Sequence, residues 1–416
     1  PQRFADAKDI HAYQEALAAS EGLLGHLRLG TALVSATWDA PAARWRFRTA
    51  KGDTLEARYF VCSTGPLSQP RWPDLPGLDE FQGPRLHTAR WPADDGALDG
   101  ARIGVIGTGS TAVQLIPKLA ARATHLSVFQ RTPNWVLPRL ERRYRWFDRA
   151  LMHVPGYAAA VRLGWAGFLE WTRRGFDEGT VARRFMLALA RWHRARQLRG
   201  VTDRAAFEAA LTPPYPLGCK RIIYANDYYP TLAQPHVALV TEGIARVTAN
   251  GIVTADGREH ALDALVCATG FETVNLLESI TITGSEGTTL AEAWRGGPVA
   301  LHGIGVAGFP NLFLMLGPNT ATGHTSTLFY IEAAARHALA VMQHVRARGG
   351  RWAAVKPEAM AAHDASLQAR LRGSVWTQCR SWYRMADGRV VAIFPGFTPE
   401  YVRKAGTPDV EDYLWG

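Results

Sequence analysis

Hydrophobic and polar positions follow several different rhythms along this 416-residue chain. Residues 7–24 set Ile10, Tyr13 and Leu17 at helical spacing and end in a break of short residues, which predicts a helix. The runs "TALVSATWD", "RWRFRTAKG" and "ARYFVCSTG" then alternate with period two between Asp, Pro and Gly breaks. That pattern predicts an antiparallel meander feeding a buried strand. Residues 101–131 change to an apolar strand, a glycine turn, a helix and the strand "HLSVFQR". Residues 140–212 carry Arg, Trp, Phe and Ala at helical spacing without strand signals, so a helical insert is expected there. Strand patterning resumes from "RIIYANDYYPTL" to "DALVCATGFE"; "PNLFLML" predicts one more strand, followed by a long helix from about residue 326 and irregular aromatic segments. Two apolar strands, residues 59–65 and 263–270, both stop at Thr-Gly, where a missing side chain lets other backbone come close.

Composition narrows the classes. The net charge of +10 comes mostly from Arg and would draw anionic ligands. There is no run of five or six like charges and no basic stripe with interleaved aromatics, so nucleic acid is not the expected partner. Cys62, Cys219, Cys267 and Cys379 are scattered without C-x-x-C spacing, which suggests neither a disulfide framework nor a zinc site. A reducing, cytoplasmic setting fits. No apolar run reaches the roughly 18 residues of a membrane span. The nearest, "VPGYAAAVRLGWAGFLEW", is interrupted by Arg162 and reads as a buried or surface helix.

"GVIGTGSTAVQLI" puts Gly107, Gly109 and Ala112 in a G-x-G-x-x-A directly after a strand and at the start of a helix, the context of a dinucleotide-binding turn. Gly107 permits the tight turn, Gly109 lets the main chain approach a pyrophosphate, and Ala112 keeps the helix near the sheet. The helix N-terminus then presents N–H groups to phosphate, with Thr108, Ser110 and Thr111 beside it. An NAD site carries an acid about 20 residues further on. Here the next strand ends "VFQRTP", and Arg131 with Thr132 suits a 2′-phosphate, so NADP(H) is favoured. A second G-x-G-x-x-G, "GIGVAG" at 303–308, precedes its strand and reads as a loop.

Between the two halves lies "FQGPRLHTARWP". It resembles the Baeyer–Villiger monooxygenase signature F-x-G-x-x-x-H-x-x-x-W-P, carried by Phe81, Gly83, His87, Trp91 and Pro92. The blocks "TGPLSQPRWPDLPG", "IGTGSTAVQLIP", "VFQRTPNW", "PLGCKR", "VCATGF", "GFPNLFLMLGPNT" and "SWY" are similar to that family in the same order, over essentially the whole chain. The resemblance implies an α/β fold of two Rossmann-like dinucleotide-binding domains. Residues 1–68 and 272–416 would belong to the FAD domain, 69–100 to a connector, and 101–271 to the NADP domain, with the insert at 140–212.

It further implies that NADPH reduces FAD, that O2 adds to give a C4a-peroxyflavin, and that the peroxide attacks a small ketone to give an ester or lactone. Arg221 matches the family's catalytic Arg, Lys220 its NADP-contacting Lys, and Trp382 the aromatic packed on the nicotinamide cofactor. His87 would be a hinge and coupling residue. Pro66 and Leu67 would border the active site, and Leu33, Thr64, Gly65 and Thr327 the flavin. Without the resemblance, "CKR" reads as an exposed basic pair.

One departure is large. The family's FAD-binding G-x-G-x-x-G and its catalytic Asp have no equivalent in residues 1–60. The expectation is a truncated sequence lacking an N-terminal βαβ unit. A separate chain supplying that half, or an NADP(H)-binding remnant without flavin chemistry, is the alternative. Oxygenation of a sulfide or amine is a further alternative to ketone insertion.

Overall fold

The computed structural model describes residues 2–272, 277 and 279–416. Helix α1 (Ala7–Ser20) forms as expected, yet none of its residues is buried. Strands β1 (Leu33–Asp39), β2 (Arg44–Thr49) and β3 (Thr54–Ala57) make the antiparallel meander, with Trp38 opposite Trp45. Their alternation turns Ala36, Trp38 and Trp45 inward, and the fully buried Trp45 donates its indole N–H to the Pro310 carbonyl at 2.9 Å. A buried Trp needs such a partner for its one polar atom. Strand β4 (Phe60–Cys62) is the buried strand that the meander feeds.

The signature segment is more than a connector. Its residues Arg85–His87 form strand β5, which pairs in parallel with a strand 180 residues further on in sequence. Strand β6 (Arg102–Ile106), helix α2 (Ser110–Ala120) and strand β7 (His125–Phe129) form the expected βαβ unit. The short strand β8 (Val136–Leu137) leads into the helical insert: α3 (Trp146–Met152), α4 (Tyr157–Arg173), α5 (Val181–Gln197) and α6 (Arg204–Ala210). Strand β9 (Ile223–Tyr224) returns to pair with β8, helix α7 (Tyr228–Leu232) packs on α2, and strand β10 (Val237–Val240) lies beside β7. Strands β11 (Ile244–Thr248), β12 (Gly251–Thr254) and β13 (Glu259–Ala261) form a small antiparallel sheet before β14 (Ala264–Cys267).

The result is a five-stranded parallel sheet in the order β10-β7-β6-β14-β5. Ile103, Val105, Leu126, Val128, Leu265 and Val266 are fully buried in it. Covering on both faces is why these strands read as continuous apolar runs and not as alternating ones.

Past residue 280 the chain rejoins the elements that precede the connector. Strand β15 (Thr281–Thr283) pairs with β1, and after helix α8 (Leu290–Ala293), strand β16 (Leu312–Leu314) pairs in parallel with β4. Helix α9 (Leu328–Ala347) buries Tyr330, Ala333, Ala334 and Val341 behind that pair. The tail is not irregular as expected. Strand β17 (Ala353–Val355), helices α10 (Pro357–Leu371) and α11 (Thr398–Ala405), and strand β18 (Tyr413–Trp415) are all formed. "GIGVAG" is a turn region, as its position before β16 suggested.

Candidate functional site

At the end of β6, Gly107 has φ +107°, a conformation open to glycine, and a Cβ there would meet the Ala268 carbonyl oxygen at 2.7 Å. A Cβ on Gly109 would meet nothing, so the first turn of α2 faces open space. Ala112 is fully buried against the sheet, while Ser110 and Thr111 are exposed at the helix start. Thr108 differs from its expected role at the phosphate. Its side chain is buried, and its hydroxyl donates to the Thr132 carbonyl at 3.1 Å, so it braces the turn. The Asn134 amide, which the sequence reading did not single out, adds a bond to the Thr108 carbonyl at 2.7 Å.

Arg131 is exposed at the end of the next strand. Lys220 comes from a loop some 90 residues later, half-buried, with its ammonium 4.6 Å from the Tyr215 ring. Burial lowers the Lys220 pKa and the nearby Arg131 charge lowers it further. Two cations thus converge beside the glycine turn, an arrangement that a multiply charged anion relieves.

The "PLGCKR" loop corrects the cysteine expectation. Cys219 and Cys379 form a disulfide across 160 residues, with Cα atoms 6.1 Å apart. Sequence spacing could not reveal a pair that only the tertiary fold brings together. Cys62 and Cys267 are free, buried core residues, as expected, and burial pushes the Cys267 thiol up to about 12. The disulfide sets the Lys220–Arg221 loop beside the segment carrying Trp382, whose ring lies 4.5 Å from that of the buried Tyr383. Burial raises the pKa of Tyr383, and the Arg221 charge partly opposes it. Arg221 itself is exposed and has no carboxylate partner among the described residues. Among the described residues its charge is therefore not neutralised by an acid.

In the signature segment, Phe81 is buried in the core beneath β14, and a Cβ on Gly83 would meet the Asp263 carbonyl oxygen at 2.2 Å. Trp91 packs against the parallel-sheet core and donates to Asp95 at 3.0 Å, with Pro92 next to it. His87 ends β5 opposite Cys267 and is buried. Its Nδ1 accepts the Ala89 N–H at 3.1 Å, and Nε2 donates to the Arg71 carbonyl at 3.3 Å. Burial lowers its pKa, so it is a neutral ring tied on both sides. A second tie runs alongside: Arg71 N–H bonds to the Gly270 carbonyl and Glu272 N–H to the Gln69 carbonyl, both at 2.9 Å. The outgoing and returning crossings are thus paired antiparallel.

A cleft at the ends of β4 and β16 is lined by Cys62, Thr64, Gly65, Leu314, Leu316 and Gly317. Pro66 and the exposed Leu67 continue from it. Leu33 does not line this cleft but packs on the meander core, and Thr327 starts α9 outside the lining.

Sequence reasoning also missed a buried polar cluster. His324 Nε2 lies 3.3 Å from Glu170 of α4, and Thr322 bonds its Nδ1 at 3.1 Å. Burial would raise the Glu170 carboxyl, but bonds from His324 and Thr398 outweigh it and lower the pKa. The only cue was "GHTS" following "GPNT", which has no spacing relation to Glu170.

The flavin-binding monooxygenase-like (FMO-like) family model matches residues 2–157. A Baeyer–Villiger monooxygenase of Streptomyces coelicolor is 37% identical, across 99% of this chain and 79% of that protein. One from Pseudomonas aeruginosa is 35% identical across 95% of this chain and 75% of its own length. Among solved structures, oxidized steroid monooxygenase bound to NADP matches with a TM-score of 0.84 at 30% identity, covering 100% of this chain and 86% of that one. With the signature segment, the glycine turn and the overall fold all in accord, the chain belongs to the Baeyer–Villiger monooxygenase family.

Proposed function

We propose that the chain takes part in an NADPH- and FAD-dependent oxygen insertion, converting a ketone, O2, NADPH and a proton into an ester or lactone, NADP+ and water. The observation that carries this reading is the disulfide-joined pair of segments. It joins the loop of Lys220 and Arg221, a permanent cation without an acid partner among the described residues, to the segment that carries Trp382, with Arg131 near Lys220.

NADP(H) fits the residues present. The open first turn of α2 would receive the pyrophosphate, and Arg131 with Lys220 would hold the 2′-phosphate. The flavin fits in part: the turns at Thr64–Gly65 and Leu316–Gly317, at the ends of β4 and β16, would border its ring system. Among the described residues no second strand–glycine turn–helix unit like that at Gly107 is present, so no role is assigned at the flavin's phosphates. Activation of O2 with electrons from NADPH is the chemistry a bound flavin supplies.

Arg221 stabilises the negative charge that develops on the ketone oxygen when the carbonyl is attacked. A guanidinium stays charged at any working pH, so this stabilisation needs no proton transfer. Trp382 forms a wall for the nicotinamide cofactor, and His87, being neutral and tied on both sides, couples the segments instead of acting as a base. The cytoplasm, where NADPH and O2 are both available, is the proposed location on that ground alone, since the Cys219–Cys379 bond removes the argument from scattered cysteines.

Arg221→Ala should lower ester formation by at least about 10²–10³-fold, the scale of losing one charge-stabilising donor. Binding of NADP+, measured by calorimetry, should stay close to wild type. Gas-chromatographic product analysis with a panel of ketones and sulfides reads the first effect. Undiminished ester yield in the variant would remove Arg221 from the mechanism, and sulfoxide without ester would move the reading to heteroatom oxygenation.

A further inference from the structure

The positive charge of this protein is concentrated in one place. Residues 139–200 hold fourteen arginines and five acids, an excess of nine, against +10 for the whole chain. The same stretch exposes its apolar side chains. Trp146 is 81% exposed, Leu163 74% and Val154 51%. Helix α4 buries only Thr172 and Arg173, at its C-terminal end, although its first fifteen residues, "YAAAVRLGWAGFLEW", contain one cation and one acid. Ala159, Ala160, Leu163, Gly164 and Gly167 fall on one arc of that helix, all uncovered. Soluble surfaces rarely leave such an arc exposed.

Four further observations decide what covers it. Arg143, Arg145 and Arg149, on or just before the neighbouring α3, and Arg162 of α4 are exposed, and the guanidinium of none of them forms an ion pair among the described residues. At 17 residues α4 is about 25 Å long, too short and too charged to cross a bilayer, and among the described residues no helix is long and apolar enough to do so. A second copy of the chain would bring its own excess of positive charge against this one. Nucleic-acid bases stack on aromatic faces; Trp146 and Phe168 are exposed, but the arc of α4 itself is Ala, Leu and Gly and offers no stacking surface.

We infer that α3 and α4 form a docking face for an anionic phospholipid surface. The Ala, Leu, Val and Trp side chains enter the headgroup boundary, and the arginines engage lipid phosphates. The insert would hold the protein at the bilayer surface without spanning it.

The test is co-sedimentation of the full chain with vesicles of phosphatidylcholine containing 30% phosphatidylglycerol (about that fraction), against phosphatidylcholine alone. Binding should require the anionic lipid and fall roughly tenfold between 0.1 and 0.5 M salt, as screening shortens the reach of the charges. Leu163→Asp, and separately Arg145→Glu with Arg149→Glu, should each weaken it about tenfold or more while NADP+ affinity and thermal midpoint stay at wild-type values. Absence of binding to anionic vesicles overturns the inference, as does binding that both variants retain. A dimer in light scattering that Leu163→Asp dissolves would assign the face to a second copy. Tight binding of a single-stranded oligonucleotide that displaces the vesicles would assign it to nucleic acid.

Discussion

Opening the Cys219–Cys379 bond is the perturbation whose size follows most directly from the structure. The bridge closes a loop of 160 residues, and removing that closure releases chain entropy worth about 5 kcal/mol in the unfolded state by the loop-length relation. For a chain of 416 residues, an unfolding entropy of about 2 cal/mol/K per residue converts this into a fall in melting temperature of about 6 °C. Cys219 is fully buried and Cys379 only partly so, which means that an attacking thiolate enters at the Cys379 sulfur. Two measurements check the reasoning. In denatured, unreduced protein, two of the four cysteines should react with a thiol reagent, and all four after reduction. Scanning calorimetry with and without a phosphine reductant should show the lower melting temperature, and Cys379→Ser should reproduce it. Four reactive thiols without reduction, or a melting temperature indifferent to the reductant, would refute the argument. Because the bridge also fixes the Lys220–Arg221 loop beside the Trp382 segment, reduced protein should show a raised KM for NADPH.

Arg131→Ala removes one of two converging cations, and steady-state kinetics should show a KM rise of roughly tenfold or more for NADPH with little change for NADH. Equal effects on both cofactors would contradict the 2′-phosphate assignment. Acid stability should report the buried histidines. His337, fully buried and bonded to the Ala405 carbonyl and the Tyr413 hydroxyl, is held by burial at about 4. A folded-state pKa below the unfolded one means stability is present above about 6.5 and is lost as pH falls toward 4. At pH 5 this single group costs on the order of 2 kcal/mol, read as a shift in urea midpoint between pH 7 and pH 5. His337→Gln should flatten part of that slope, and an unchanged slope would exclude the group.

Much of the fold was readable because it depends on local chemistry. The glycine turn is legible since Gly107 needs its backbone angle and Ala112 its small size, and both constraints act within six residues. The meander announces itself through period-two alternation around Trp38 and Trp45. Helix α10 escaped because its two buried residues, Leu367 and Leu371, sit one turn apart at one end and leave no apolar stripe. Strand β5 was hidden inside a recognisable motif, where His87 and Trp91 drew the reading toward chemistry and away from pairing. The disulfide and the Glu170–His324 contact depend on residues 160 and 154 positions apart, and no periodicity connects them. Leu33 and Thr327 were assigned by resemblance alone, and neither lines the cleft.

The paired crossings at residues 69–71 and 270–272 bear on how the protein would respond to a cut chain. A protease that nicks one crossing leaves the other covalently intact and the ladder between them in place. The two halves would then elute together on gel filtration after a single cleavage. Only a second cut, with the Cys219–Cys379 bond also opened, would let them separate.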